Sequence, residues 1–231
     1  MGQQGLVFAF EPQRIVFQTL CANMALNSLD NVHCINSAVD ETSGTLMLFD
    51  PDPHVPNNFG GVQLAMITGA PQAAPVERLV LDDFLNTDRL KLIKIDVEGM
   101  EAEVLRGARR TLARFKPILY VENDSVDKSP ELVSLLEDSG YRCYWHLPGY
   151  ASSNNYFEST EQMFPVAFVD RGDTYLDAIG VAVNLLCVHA SLGMPVERLR
   201  PLTDREEHPF KREYVHLFSG SGDAAVPVIK G

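Results

Sequence analysis

The sequence predicts an α/β fold: a parallel sheet with helices on both faces. Short apolar strands alternate with helical patterns through the first two-thirds of the chain. Three of those strands end in acids, as FEP, KIDVEG and VEND. The 231 residues are 45% hydrophobic, enough to bury one sizeable core.

The elements follow in order. LVFAFEP (6–12) reads as a strand ending in an acid and a proline. QRIVFQTLCANMALNSL follows, with Val16, Leu20 and Met24 at helical spacing. VHCINSAV (32–39) and GTLMLF (44–49) read as strands, and RLKLIKID (89–96) as the next strong one. MEAEVLRGARRTLARF places Val104, Leu105, Ala108, Leu112 and Phe115 on one stripe, an amphipathic helix. PILYVEN (117–123) is a strand. SPELVSLLEDSG is a helix with Ser129 as N-cap, Pro130 at its first position and Gly140 past its end. YRCYWHL and VAVNLLCVH are two further strands.

Segments 50–75 and 148–165 are rich in Pro, Asn and Gly and are expected as irregular excursions of the kind that form lids. The pentamer PVERL occurs at 75–79 and 195–199 in contexts that share nothing else, so it marks no repeat. The expected organisation is one domain over 1–194 and a charged, peripheral C-terminal extension over 195–231.

The formal charge is −12, from 31 acidic and 19 basic residues. Without a basic stripe to displace phosphate counterions, nucleic acid and anionic lipid are not expected partners. The basic clusters RGARR and RFK lie on one predicted helix and read as a solvated face. Apolar runs are short, and the first residues lack a basic region followed by an apolar stretch, so the expected location is cytoplasmic. Cys21, Cys34, Cys143 and Cys187 form no CxxC pair and read as buried thiols of a reducing compartment. Six scattered histidines form no HxxxH pair, so no metal site is expected.

In a parallel sheet, ligands sit beyond the carboxyl ends of the strands. The three terminal acids are therefore expected to converge on one edge. Asp96 should end a central strand and face the same cleft as Glu11 and Glu122, with Glu98 near the start of the next helix. Alternation along KLIKID puts Leu92, Lys94 and Asp96 on one side, Ile93 and Ile95 on the other.

FAFEP followed by Leu and by Asn23 and Asn27, then Ala38-Val39, LDDF, LIKIDVEGMEAEVLRGA and ILYVEN, in that order, resembles the FkbM family of S-adenosylmethionine-dependent methyltransferases. The later YW, NNYF and VNLLCV are similar to that family's C-terminal half, so the resemblance spans roughly residues 6–189. KIDVEGxE is its most specific element.

The resemblance implies a class I methyltransferase (Rossmann-like) sheet with helices on both faces, in which the second strand's terminal acid chelates the cofactor's ribose hydroxyls. Glu11 matches that acid, and a carboxylate accepts two hydrogen bonds from a vicinal diol. Read without the resemblance, Glu11 is an acid facing a helix N-terminus. Ser37 and Ala38 match the region flanking the adenine. Asp96 would lie beside the transferable methyl, touching the cofactor and orienting or deprotonating an acceptor hydroxyl. Glu98 and Glu101 fit the acidic first turn of a helix. Glu122 and His146, ending their strands, are further candidates to bind the acceptor or take its proton; a histidine there is also commonly just hydrogen-bonded.

One element of the family's pattern is missing. Only five residues precede Leu6, and a parallel crossover needs about a dozen. The usual first strand and glycine-rich turn are therefore not expected at the N-terminus. YVHLFSGSGDAAVPVIKG, with Gly220 and Gly222, offers an apolar strand and a glycine turn that a circular permutation would place there; the alternative is a flexible tail.

The expected function is O-methylation of a hydroxyl on a sugar or polyketide-like metabolite, with S-adenosylmethionine as cofactor, a small-molecule or glycan acceptor, and a homo-oligomer as one possible state. The alternative is an incomplete, non-catalytic domain of the same fold. A nicotinamide-dependent dehydrogenase would need a GxGxxG turn that the N-terminus lacks.

Overall fold

Strand-forming and helix-forming patterns resolve into the elements below in a computed structural model that describes residues 5–49, 52, 54–55, 73–150, 166–219 and 226–230. The chain divides into two units, Met1–Arg89 with Met100–Phe115, and Leu90–Gly99 with Lys116–Gly231. Most of 50–75, nearly all of 148–165 including NNYF, and the Gly220–Gly222 turn lie outside the described residues.

In the first unit, β1 (Val7–Phe10) runs parallel to β2 (Val32–Ile35), with α1 (Arg14–Leu26) between them in sequence. The single strand expected over 32–39 is two. Asn36 turns its amide to the chain leaving β1, donating to the carbonyls of Glu11 at 2.8 Å and Pro12 at 3.1 Å. The chain bends there, and β3 (Ala38–Val39) pairs elsewhere, in a sheet ordered β3-β5-β4. β4 (Gly44–Phe49) is antiparallel and β3 parallel to β5 (Ala73–Leu79). β5 had no strand signal because Pro75 interrupts it, and proline normally marks a run as non-strand. The second PVERL lies in no helix or strand, which agrees with coincidence.

The motif LDDF forms a short helix, α2 (Leu81–Phe84). Its Asp82 accepts from the backbone N–H groups of Arg110 at 2.8 Å and Thr111 at 2.7 Å. Those are unpaired donors at the start of a helix, so Asp82 caps α4 (Arg109–Phe115) from a distant segment. The one helix expected over 100–115 is α3 (Glu101–Arg106) and α4, divided at Gly107. A Cβ on Gly107 would stand 2.3 Å from the Asp40 carbonyl oxygen, so only glycine permits that approach.

The second unit is built on a five-stranded sheet ordered β12-β8-β11-β7-β6. β6 (Leu92–Ile95) and β7 (Ile118–Glu122) are parallel. β11 (Asn184–His189) runs antiparallel to both β7 and β8 (Tyr141–His146), and β12 (Arg200–Pro201) antiparallel to β8. The sheet is therefore mixed, which corrects the all-parallel expectation. Periodicity cannot report direction, and buried parallel and antiparallel strands read alike. β6 is the terminal strand of this sheet among the described residues, not a central one. α5 (Ser129–Asp138) joins β7 to β8. Ser129 is its first residue, not its cap; its buried hydroxyl accepts from the Asn123 amide at 2.9 Å.

One face of the five-stranded sheet is dry. Ile95, Val121, Leu185 and Trp145 lie side by side across four strands, and each is at most 3% exposed. Residues after 195 complete that core instead of lying peripherally. His208 and Phe218 meet the Trp145 ring edge-on, both with centroids 5.6 Å away, and the buried Glu207 carboxylate pairs with Arg200 at 3.1 Å. A second sheet, ordered β10-β9-β13, comprises β9 (Ala167–Asp170), β10 (Asp177–Ile179) and β13 (Val228–Lys230). The permutation reading fails at its strand, since Val215–Leu217 is a 3-10 turn. Cys143 and Cys187 are buried opposite one another on β8 and β11; Cys21 and Cys34 are half-buried. No helix among the described residues is long and apolar enough to cross a membrane.

Candidate active site

The other face of the five-stranded sheet is polar, for the same reason that the first is dry. Residues paired across strands project to the same side, and alternate residues to opposite sides. Glu122, Asn184 and His146 are direct partners across β7, β11 and β8 and form one row. Lys94 and Tyr120 are partners one pleat below Asp96 and Glu122. The last residues of β6 and β7 thus place Asp96 beside Glu122.

Candidate oxygens of Asp96, Glu98 and Glu122 all lie within 4.8 Å of one another. Asp96 is exposed and ion-paired with Lys94, as the alternation along KLIKID requires. Glu122 is half-buried, and its Oε2 is buried with no hydrogen-bond partner among the described residues. Burial pushes its carboxyl up to about 8, helped by the Asp96 charge and hydrogen bond and by the charges of Asp124 and Glu98. At neutral pH this group holds a proton. The same acids reach the phenols above. Burial and then Asp96 raise Tyr120; burial, then Glu122, Asp124, Asp96 and Glu98, raise Tyr150.

The turn after β6 is built from left-handed residues, Glu98 at φ +53° and Gly99 at φ +90°. A non-glycine residue in that region costs about 1 kcal/mol, so neighbouring groups must hold it. Lys128 does so: its Nζ donates to the Gly99 carbonyl at 2.7 Å. A Cβ on Gly99 would meet that ammonium at 2.9 Å. Lys128 therefore ties the turn after β6 to the start of α5. Glu101 opens α3 as a buried first-turn acid, which is the helix reading.

His146 accepts or donates at Nδ1 with the Tyr120 hydroxyl at 2.8 Å, so it joins the polar face as a hydrogen-bonded group. Sequence reasoning did not single out Tyr120, Asn184 or Lys128. Asn184 did carry a signal, as the polar residue breaking the apolar run VAVNLLCV.

The remaining candidates lie in the first unit. Glu11 follows β1, half-buried, and its Oε1 accepts from the Gln13 N–H at 2.7 Å. Burial raises its carboxyl pKa, and the Gln13 hydrogen bond opposes that. Ser37 is buried with its hydroxyl 3.4 Å from Glu77, and Ala38 is buried within β3. Both side chains face neighbouring protein. The convergence expected of three acids is met for Asp96 and Glu122 within the second unit.

Residues 1–143 match the family model described as Methyltransferase FkbM domain. The chain belongs to that family. The match contains Glu11, Ser37, Ala38, Asp96 and Glu122 and ends before His146 and Asn184. The chain is 27% identical over 177 residues to Methyltransferase sdnD of Sordaria araneosa, covering 60% of this chain and 65% of that protein. It is 29% identical over 123 residues to Methyltransferase 1 of Beauveria bassiana, covering 45% of this chain and 49% of that one. The chain thus spans between about half and two-thirds of the curated relatives' lengths. Among solved structures it is similar to the FkbM methyltransferase of Methylobacillus flagellatus, with a TM-score of 0.41, 21% identity, and coverage of 63% of this chain and 33% of that one. It is also similar to the precorrin-6y C5,15-methyltransferase of Geobacter metallireducens, with a TM-score of 0.41, 15% identity, and coverage of 80% and 67%. FkbM-family membership gives the chain a methyltransferase ancestry, and its described elements form an α/β architecture.

Proposed function

We propose that the chain transfers a methyl group from S-adenosylmethionine to a hydroxyl of a sugar or polyketide-like metabolite. The observation that carries this reading is the Asp96–Glu122 carboxyl pair at the ends of two adjacent parallel strands. Methylating an alcohol requires removal of its proton, and a general base works best when its pKa lies near the working pH. Glu122, pushed up to about 8, has that basicity. Asp96 contributes in two ways: its charge raises Glu122, and its own oxygens can orient the hydroxyl. Glu122 Oε2, which has no hydrogen-bond partner among the described residues, is the atom we assign to the acceptor's proton. Since the pair is coupled, the inflection seen in a rate profile belongs to both groups.

The cofactor, when bound, supplies an electrophilic methyl group. Of this chain's residues, Glu11 fits its ribose: a strand-end carboxylate, already desolvated and steadied by the Gln13 N–H, suits a neutral diol that brings two O–H donors. Ser37 and Ala38 would meet the adenine through their backbone.

Calorimetric titration with S-adenosylmethionine and with S-adenosylhomocysteine tests this reading. We expect saturable binding that weakens about 10–100-fold in Glu11→Ala, the loss of charge-assisted hydrogen bonds. Glu122→Gln should lower methyl transfer about 10²–10⁴-fold while leaving cofactor affinity unchanged. Wild-type transfer should rise with pH through about 8. Well-folded protein that binds neither compound would favour the second reading, a domain that keeps the fold without the cofactor. The exposure of Leu6 (54%) and Phe8 (38%) around β1 is the observation on that side.

A further inference from the structure

A cavity of about 410 Å³ opens beside Glu122 in the second unit. It is lined by apolar residues that include Leu176, Val181, Val183 and Phe210, by Tyr150 and Tyr175, and by the acids Glu122, Asp124, Asp127 and Asp177. No lysine, arginine or histidine is among the described residues that line it. The walls are stitched in place: Tyr150 N–H donates to the Gly180 carbonyl at 2.7 Å and Ala182 N–H to Pro148 at 3.0 Å.

We propose that this cavity receives a protonated amine, and that the methyl acceptor is therefore a hydroxyl compound bearing an ammonium group, of which an amino sugar is the simplest class. Calling the occupant the acceptor rests on the methyltransferase reading above; the preference for a cation does not. A phosphate or carboxylate would meet four carboxyls and no basic residue among the described lining. A neutral polyol would bring no charge to balance Asp124 beyond the nearby Lys128. An ammonium answers both, with carboxylates to accept its hydrogen bonds and aromatic faces that attract cations.

The carboxyls are not equally available. Asp127 already accepts from the Tyr175 hydroxyl at 2.9 Å, and Asp177 is ion-paired with Arg171 at 2.9 Å on the exposed rim. Lys128 lies near Asp124 but spends a hydrogen bond on the Gly99 carbonyl. Asp124 is thus the group we assign to the ammonium, which places the acceptor's charge next to Glu122, the carboxyl that would take its hydroxyl proton.

Benzylammonium and benzyl alcohol, alike in ring and size but not in charge, test this on the full chain by two-dimensional ¹H–¹⁵N NMR at low salt, without any methyl donor. Benzylammonium should shift the amides of Ala178, Val181 and Val183 saturably and bind about tenfold more tightly than the alcohol, the sum expected of one carboxylate and one aromatic contact. The gap should shrink about threefold or more in Asp124→Asn and at about 0.5 M salt. Tyr150→Leu, at a side chain on the cavity wall, should weaken the ammonium more than the alcohol. Equal affinities, shifts confined to another part of the chain, or no saturation with either probe would overturn the proposal. A chain that discriminates between the probes yet fails to bind S-adenosylmethionine would keep the cation site and remove the methyltransferase reading.

Discussion

The helix α1 and the strand β7 are both rich in apolar residues, yet they live in opposite environments. None of α1 is buried, and Leu26 at its end is 82% exposed. In β7, Leu119 and Val121 are 0% exposed, flanked by Leu185 and Cys187, also at 0%. The first unit thus holds its candidate cofactor acid on a thinly packed pair of strands, and the second holds its acid pair on a close-packed sheet. Precise placement of reacting groups needs rigid support, which the close-packed sheet of the second unit supplies to Asp96 and Glu122.

The contrast breaks most directly under truncation. Leu185→Ala should cost about 3–5 kcal/mol, because a fully enclosed side chain leaves a cavity that its neighbours cannot fill. Leu26→Ala should change stability by about 0.5 kcal/mol or less. Urea denaturation of both variants checks this; comparable losses would remove the distinction between the units.

Acid gives the next largest effect. His208 sits in the second unit's core with Nε2 3.0 Å from the Asn123 carbonyl and Nδ1 accepting the Phe210 N–H at 3.1 Å, so the neutral ring satisfies both partners. Burial is the main cause that brings its pKa down to about 4, below the ordinary 6.5; Lys211 adds to this and the Asn123 hydrogen bond opposes it. With the folded pKa depressed, the unfolded chain binds the proton first. The contribution is whole above pH 6.5 and fades as pH falls through 4, about 2–3 kcal/mol in all. Urea midpoints measured from pH 7 to 4 should show the loss, and His208→Gln should flatten it.

Glu122 has the opposite sign and a smaller size. Its folded pKa is raised, so the folded chain retains the proton longer. Stability is whole below about 4.5 and falls as pH rises through about 8. For a part-exposed group the loss is about 1–3 kcal/mol after solvent screening. Glu122→Gln should lie above wild type in stability near pH 9 and match it near pH 4.5; no crossover would mean that the carboxyl is ionised throughout. A small effect is expected at the first unit's acid. Glu11→Ala should cost about 0.5–1 kcal/mol, the worth of one hydrogen bond to Gln13, so that any larger change in cofactor affinity reports binding and not unfolding.

Local periodicity and short-range turn chemistry were legible in the residues themselves. Alternation along KLIKID and ILYVE placed Lys94 with Asp96 and separated Glu122 from Val121, because side chains on a strand have a period of two whatever their partners. The carboxyl ends of β6 and β7 could be read as a ligand edge, and the order of motifs carried the family. Direction, pairing and closeness could not be read. β11 runs against its neighbours, so Asn184 joins the row of Glu122 and His146; β5 forms across Pro75; Gly107 divides a helix because Asp40, distant in sequence, presses against it. The raised pKa of Glu122 likewise arises first from burial that no single segment supplies, and then from Asp96, Asp124 and Glu98, which meet it through the turns after β6 and β7. Side-chain chemistry and period are properties of the chain at short range. Desolvation and mutual charge depend on which segments the fold brings together, and that is decided only when they pack.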